Sequence, residues 1–192
     1  FTFASWSSMY NGPMNQNVPT FRCPSAQHKS TRAAIGWGGP GTNYAWSGGS
    51  SVSNLWSASD LSRNGMFNMA EEIKMSSVSD GLSNTVMVTE ILGGSGTNTG
   101  SATYPYDVFF IGSDTLFSSV VNKTFPTAAE LAAIGTAARS PTAFRGNAGS
   151  NWGWYGMAQS LVTTVAPPNW EYPTAGGACC PGGATDWTWG VI

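Results

Sequence analysis

The sequence predicts an α+β fold that is mostly β: an antiparallel sheet with long Gly/Ser/Trp-rich loops and one short helix. Three observations predict it. Short runs of β-branched and aromatic residues recur, the clearest at 84–91 and 108–111. One segment, opening at Thr127, carries both a helix start signal and a run of small apolar residues. The rest is interrupted by 24 Gly and 11 Pro, which excludes coiled coils and long bundles because both residues are poor inside helices. The 192 residues suit one domain, 1–192, with enough chain to bury a sizeable core.

The elements follow in order. Residues 1–22 are polar and aromatic, with turn signals at Asn11-Gly12-Pro13 and Val18-Pro19. Residues 36–59 read as a long surface loop around a short strand, Asn43-Tyr44-Ala45-Trp46. Arg63–Phe67 reads as a turn into a strand, and Ile73-Lys74-Met75 as a short extended piece. Ser77–Gly81 reads as a helical turn ended by glycine. Asn84–Ile91 is the clearest strand, by its Thr and Val content. Residues 93–103 form a Gly/Ser/Thr linker, and Val108–Ile111 a strand of the buried type. Thr127-Ala128-Ala129-Glu130 is a capping box, so the helix starts there, runs to about Arg139 and stops before Pro141. Residues 143–192 read as loops and short strands, with no repeat of fixed period.

Composition narrows the function classes. Charged residues make up 9% of the chain, against about 25% in ordinary domains. Eight scattered Lys and Arg cannot neutralise a phosphate backbone, so no nucleic-acid partner is expected. Nine Trp, nine Phe and six Tyr carry far more buriable surface than disordered chains do. No apolar run approaches the ~20 residues that cross a bilayer, so no membrane contact is expected from this segment. Ser and Thr replace the missing charge, a surface that suits work outside the cell and equally suits a loop-rich β fold.

Chemistry-bearing residues are sparse. The one histidine, His28, sits among polar loop residues, and no G-x-S-x-G elbow supplies a nucleophile for it. Acids are spread singly apart from Glu71-Glu72, whereas glycoside hydrolysis needs two carboxyls about 5–9.5 Å apart across one cleft. There is no phosphate-cradling loop and no EF-hand pattern. The expectation is a non-enzyme without an organic cofactor. Asp80 and Glu90, with loop carbonyls, are weak candidates for holding calcium. Cys23, Cys179 and Cys180 allow one bridge from Cys23 to either of the pair, since adjacent cysteines bridge only under strain. Asn122-Lys123-Thr124 is a glycosylation triplet, and the Ser/Thr-rich loops 47–53 and 95–103 could carry O-glycans. Trp37, Trp46, Trp56, Trp152, Trp154, Trp170, Trp187 and Trp189 mostly lie near glycine, where an indole either stacks on a sugar or fills a thin core or a subunit contact.

The segment RNGMFNMAEEIKMSSVSDGLSNTVMVTEIL at 63–92 carries a resemblance. Asn64, Gly65 and Phe67, then Asp80, Gly81, Ser83, Asn84 and Thr85, then Glu90 at a strand end, resemble the signature of a large family of planctomycete secreted proteins. The family's biochemical role is unassigned, and its members have type IV pilin-like, prepilin-type N-termini. FRCPSA at 21–26 resembles the family's F-x-CPSD, with Ala26 in place of the Asp, and TNYAWSGG at 42–49 resembles the segment that follows. Looser likeness continues at 149–154, at 166–169 and at Cys179. The resemblance implies a leader and a long hydrophobic helix ahead of Phe1, and an HPGG-type segment and a DGSV strand that this chain lacks. The chain is thus expected to be the middle of such a protein, a pilin-like globular head without its N-terminal helix, trimmed or incompletely built at both ends.

Read on their own, the signature residues do structural work. Asp80 would accept backbone N–H bonds in its turn, and Gly81 would take a positive φ. Ser83 and Asn84 would satisfy donors entering the strand, and Glu90 would close a strand whose Val86 and Val88 share a face. The resulting expectation is a structural subunit of an extracellular or cell-surface pilin-like filament or pseudopilus, self-associating into a homo-oligomer. The alternative is a secreted carbohydrate-binding module that uses exposed Trp, and a hydrolase using scattered acids comes third.

Overall fold

The computed structural model describes residues 8, 11–26, 39–52, 54, 60–67, 72–154, 156, 159–177 and 190–191. Two small sheets form its frame. The first takes β1 (Tyr44–Ser47), β2 (Val88–Glu90) and β5 (Leu161–Val162) in the order β2-β1-β5. The second takes β3 (Val108–Phe110), β4 (Ala143–Arg145), β6 (Ala175–Gly176) and β7 (Gly190–Val191) in the order β4-β3-β6-β7. The fold class is α+β and mostly β, with one helix longer than a single turn among the described residues. The sheets are mixed rather than purely antiparallel. β1 pairs antiparallel with β2 but parallel with β5, and β3 pairs antiparallel with β4 but parallel with β6.

The core lies between the second sheet and two helices, α1 (Thr115–Ser118) and α2 (Ala128–Ala138). Leu131, Ile134, Gly135 and Ala138 make the buried stripe of α2, at the i, i+3, i+4, i+7 spacing of one helix face. The stripe joins Phe117 of α1, Val120, Phe109 of β3, Ala175 of β6 and Val52 from the loop after β1. Gly135 lets the helix approach closely: a Cβ there would lie 2.3 Å from Cγ of Tyr172. No described helix is long and apolar enough to cross a membrane.

The helix matches its sequence signals because those signals are local. Thr127 Oγ1 accepts from the Glu130 backbone N–H at 3.2 Å, and Glu130 Oε2 accepts from the Thr127 N–H at 2.8 Å. Glu130 Oε1 also accepts from the Val121 N–H at 2.9 Å. The Thr127 hydroxyl, then the Val121 and Thr127 amides, hold the Glu130 carboxyl below its usual range. A depressed carboxyl contributes stability that is fully present above its unfolded-state pKa and is lost as pH falls through the folded value. Urea midpoints of the native protein and of Glu130→Gln should therefore differ near pH ~6 and converge toward pH ~3. A difference that stays constant across that range would remove the carboxylate from the cap's energetics.

Several expectations along the chain are corrected. In the segment read as a surface loop, Gly41–Asn43, Ala45, Ser47–Gly49, Ser51 and Val52 are buried. Glycines there permit backbone-to-backbone packing that a surface loop would not need. The strand expected over Asn84–Ile91 shrinks to Val88–Glu90, because Leu82–Asn84 forms a 3-10 turn. Val86 lies outside the strand, so its alternation with Val88 is not a strand property. Arg63–Phe67 bends without becoming a strand, Phe67 donating its N–H to the Ser47 carbonyl at 3.3 Å. Ile73 and Lys74 are irregular, and Met75 opens a 3-10 turn at Met75–Ser77.

Nor is 93–103 a linker between units. Buried Asp107 clasps it, accepting from the Ser95 N–H at 2.9 Å and the Thr103 N–H at 2.7 Å. Asn98 Oδ1 accepts from the Gly146 N–H at 3.0 Å, and Gly96 donates to the Gly146 carbonyl at 2.8 Å.

Candidate functional site

The signature segment folds against β1 through glycine. A Cβ on Gly65 would lie 2.0 Å from C of Gly48 and 2.2 Å from N of Gly49. A Cβ on Gly49, whose φ is +103°, would lie 2.2 Å from Oδ1 of Asn64. The two dipeptides, Gly48-Gly49 and Asn64-Gly65, thus cross in direct backbone contact. Asn64 locks the crossing: its Oδ1 accepts from the Ser50 N–H and its Nδ2 donates to Ser50 Oγ, both at 2.9 Å.

Phe67 then continues an aromatic row. Its ring centroid is 5.1 Å from that of Trp46, Trp46 is 6.0 Å from Phe21, and Phe21 is 5.7 Å from Trp152. Trp152 donates its indole N–H to the Gln16 carbonyl at 3.0 Å. Buried Asn43 joins the pieces. Its Oδ1 accepts from the Cys23 N–H at 2.9 Å, its N–H donates to the Phe21 carbonyl at 2.8 Å, and its carbonyl accepts from the Ile91 N–H at 2.7 Å.

The second half of the signature closes its own turn. Gly81 takes a φ of +85°, as expected of its position. Asn84 Nδ2 donates to the Asp80 carbonyl at 2.8 Å, and Thr85 Oγ1 donates to the Gly81 carbonyl at 3.2 Å. The polarity is the reverse of the expectation: the side chains satisfy acceptors, not donors. The Asp80 carboxylate is exposed and meets the Ser79 hydroxyl at 3.4 Å, with no backbone N–H of the described residues on it. Ser83 is exposed. The two halves of the signature face each other across a concavity of about 440 Å³, lined by Arg63, Asn64 and Gly65 on one side and by Asp80, Asn84 and Thr85 on the other.

Glu90 lies elsewhere. It is exposed at the end of β2 and lines a separate concavity of about 750 Å³, together with Ser25, Asn43, Ser95, Thr103 and Tyr106. Asp80 and Glu90 therefore do not share a cavity, and no three His, Cys, Asp or Glu among the described residues gather as a metal site. Cys23 carries a free thiol, half-buried, with Sγ 3.1 Å from Ser25 Oγ. Cys179 and Cys180 lie outside the described residues, as do His28, Trp37, Trp56, Trp187 and Trp189. Exposed Asn122 accepts with Oδ1 from the Thr124 N–H at 3.2 Å and the Phe125 N–H at 3.1 Å, an Asx turn built on the glycosylation triplet. Of the described tryptophans, Trp154 is buried and Trp46, Trp152 and Trp170 are half-buried, so none stands out as an exposed platform.

One group escaped the sequence reading. Tyr104, Tyr106, Trp170 and Tyr172 line a cleft of about 260 Å³ that shares Ile91, Leu92 and Tyr106 with the Glu90 concavity. The available signal was a pair of aromatic-x-aromatic triplets, Tyr104-Pro105-Tyr106 and Trp170-Glu171-Tyr172, although the first is a turn, so strand alternation does not account for its placement.

Comparison with the curated proteins and with the solved structures returned no match for the chain. The scan against protein families matched residues 3–187 to SBP_bac_10, "Protein of unknown function (DUF1559)". The match takes in every signature residue from Asn64 to Glu90, the FRCPSA and TNYAWSGG segments and both sheets except β7. The chain belongs to the DUF1559 family of proteins of unknown function.

Proposed function

We propose that this chain is the globular head of a non-enzymatic structural subunit in an extracellular or cell-surface pilin-like filament or pseudopilus. In this reading it belongs to the planctomycete branch whose members carry prepilin-type N-termini. One observation carries the reading. Met75, Leu82, Val86, Met87 and Val88 are 55%, 53%, 52%, 39% and 38% exposed, so five large apolar side chains within fourteen residues face outward. Large apolar residues scattered singly on a surface need no explanation, but five within one short segment make that segment a candidate contact.

The backbone supports the same reading. β2 is the edge of its sheet. Ser47 donates to the Met87 carbonyl and Ile91 to the Asn43 carbonyl, so these alternate positions face β1. Val88 lies opposite Trp46, whose own N–H turns the other way, to the Ser160 carbonyl. In an antiparallel ladder the main-chain groups of Val88 then point off the free edge, where another chain can pair. Of the signature side chains, Asn64, Phe67, Asn84 and Thr85 are occupied in holding the segment in shape, a use that suits a structural subunit.

Electron microscopy of the protein isolated from its own cells tests the proposal. Filaments with a regular helical repeat and this domain on the outside are expected. Discrete particles from the full-length protein would overturn the filament reading.

A further inference from the structure

We infer that the groove running from the Tyr104–Tyr172 cleft into the Glu90 concavity binds a neutral oligosaccharide. The inference does not rest on the filament reading and would stand for a solitary surface protein. A sugar ring offers a flat C–H face and a rim of hydroxyls, so it needs aromatic faces beside neutral donors and acceptors. The groove supplies them in that order. Tyr104, Tyr106, Trp170 and Tyr172 line its apolar end. Ser25, Asn43, Ser95, Thr103 and the Glu90 carboxylate line its polar end, and exposed Tyr106 belongs to both.

The charge pattern selects among ligands. No Lys or Arg appears among the described lining residues of either part. Among the described lining residues a phosphate, a nucleotide or an acidic polysaccharide meets no cation, and the nearby Arg139, stacked on the Tyr172 ring, is paired with Glu171 at 3.6 Å. Glu90, the one carboxylate among the described lining residues, is an acceptor suited to sugar O–H groups. Two joined concavities of about 260 and 750 Å³ favour a chain of several rings over a monosaccharide.

The groove is also held in shape before any ligand arrives. The Tyr172 ring centroid sits 4.8 Å from that of Trp170, with the Arg139 guanidinium 4.3 Å above the Tyr172 ring and Gly135 packed against it. On the polar side, buried Asp107 fixes the amides of Ser95 and Thr103. A preformed site loses less ordering entropy on binding.

The test is titration of the intact protein with cellohexaose, chitohexaose, xylohexaose and laminarihexaose, followed by calorimetry and by Trp fluorescence. Saturable binding of at least one is expected, weakened about tenfold or more by Tyr106→Ala and to a lesser degree by Tyr106→Phe and Glu90→Gln. Phe125→Ala, exposed and remote in sequence from the groove, should leave binding unchanged, and near-UV circular dichroism should show each variant folded. Three results would each overturn the inference: no binding across the panel, binding indifferent to Tyr106→Ala, or binding of an octaproline peptide in place of the sugars.

Discussion

Replacing Gly65 by alanine should cost the protein about 3 kcal/mol or more, a large share of the ~5–15 kcal/mol that holds an ordinary domain together. The added methyl would lie 2.0 Å from C, and 2.3 Å from O, of Gly48, and 2.2 Å from N of Gly49. All three are backbone atoms, so no rotamer change can move them aside. Relief requires the two segments to separate, which strains the paired Asn64–Ser50 hydrogen bonds, the Phe67–Ser47 bond and the Phe67–Trp46 ring contact. Overpacking alone costs about 1–3 kcal/mol, and each hydrogen bond lost adds about 1 kcal/mol. For a chain of this size the melting temperature should fall by about 6–12 °C.

Gly81→Ala is the informative contrast. Gly81 has a φ of +85°, yet a Cβ there would meet only Asn84 Nδ2, at 3.7 Å. Its cost is the backbone alone: φ +85° with ψ 140° lies outside the left-handed helical region and is adopted almost only by glycine, a strain of about 1–3 kcal/mol for alanine. The two signature glycines thus serve different ends, one steric and one conformational. Thermal unfolding of both variants by near-UV circular dichroism separates them, and a Gly65→Ala melt no lower than that of Gly81→Ala would refute the crossing as the signature's purpose.

The same particulars show what could be read from the sequence. The helix at Ala128–Ala138 was legible to within a residue or so, because a capping box is settled by neighbours three residues apart. Val108–Phe110 was legible from its apolar run. The strand at 84–91 was overextended for an equally local reason that β propensity ignores: Asn84 and Thr85 bond back to the carbonyls of Asp80 and Gly81 and hold the chain in a turn. The parallel pairings of β1 with β5 and β3 with β6 join strands far apart in sequence, and no local pattern announces them. The burial of the Gly48-Gly49 region depends on a partner fifteen residues on, since glycine in a sequence says only that a close approach is allowed. The aromatic groove combines residues near 91, 105 and 171, and only the fold brings them together.

Converting Val86 and Val88 together to aspartate should abolish assembly while leaving the domain folded. Both side chains are exposed and lie outside the core cluster, so the change should cost about 1 kcal/mol of stability at most, mainly lost β propensity at Val88. In an assembled contact the balance is different. Two half-exposed valines becoming buried contribute about 1 kcal/mol each, and that gain is lost. Two carboxylates would also have to leave water for an apolar contact without a partner, a further cost of several kcal/mol. Together these raise the concentration needed for assembly by ~10²-fold or more. Val121→Asp makes the control: its side chain is 93% exposed but lies in the loop after α1, outside the 75–88 cluster, and it should assemble as the native protein does. Pelleting assays and electron microscopy of the full-length variants read the outcome. If the double aspartate variant still forms native filaments, the contact lies on another face and the signature segment supports the subunit without touching its neighbour. If Val121→Asp fails equally, net charge rather than a defined apolar contact governs association, and the exposed cluster at Met75–Val88 loses its claim to be the interface.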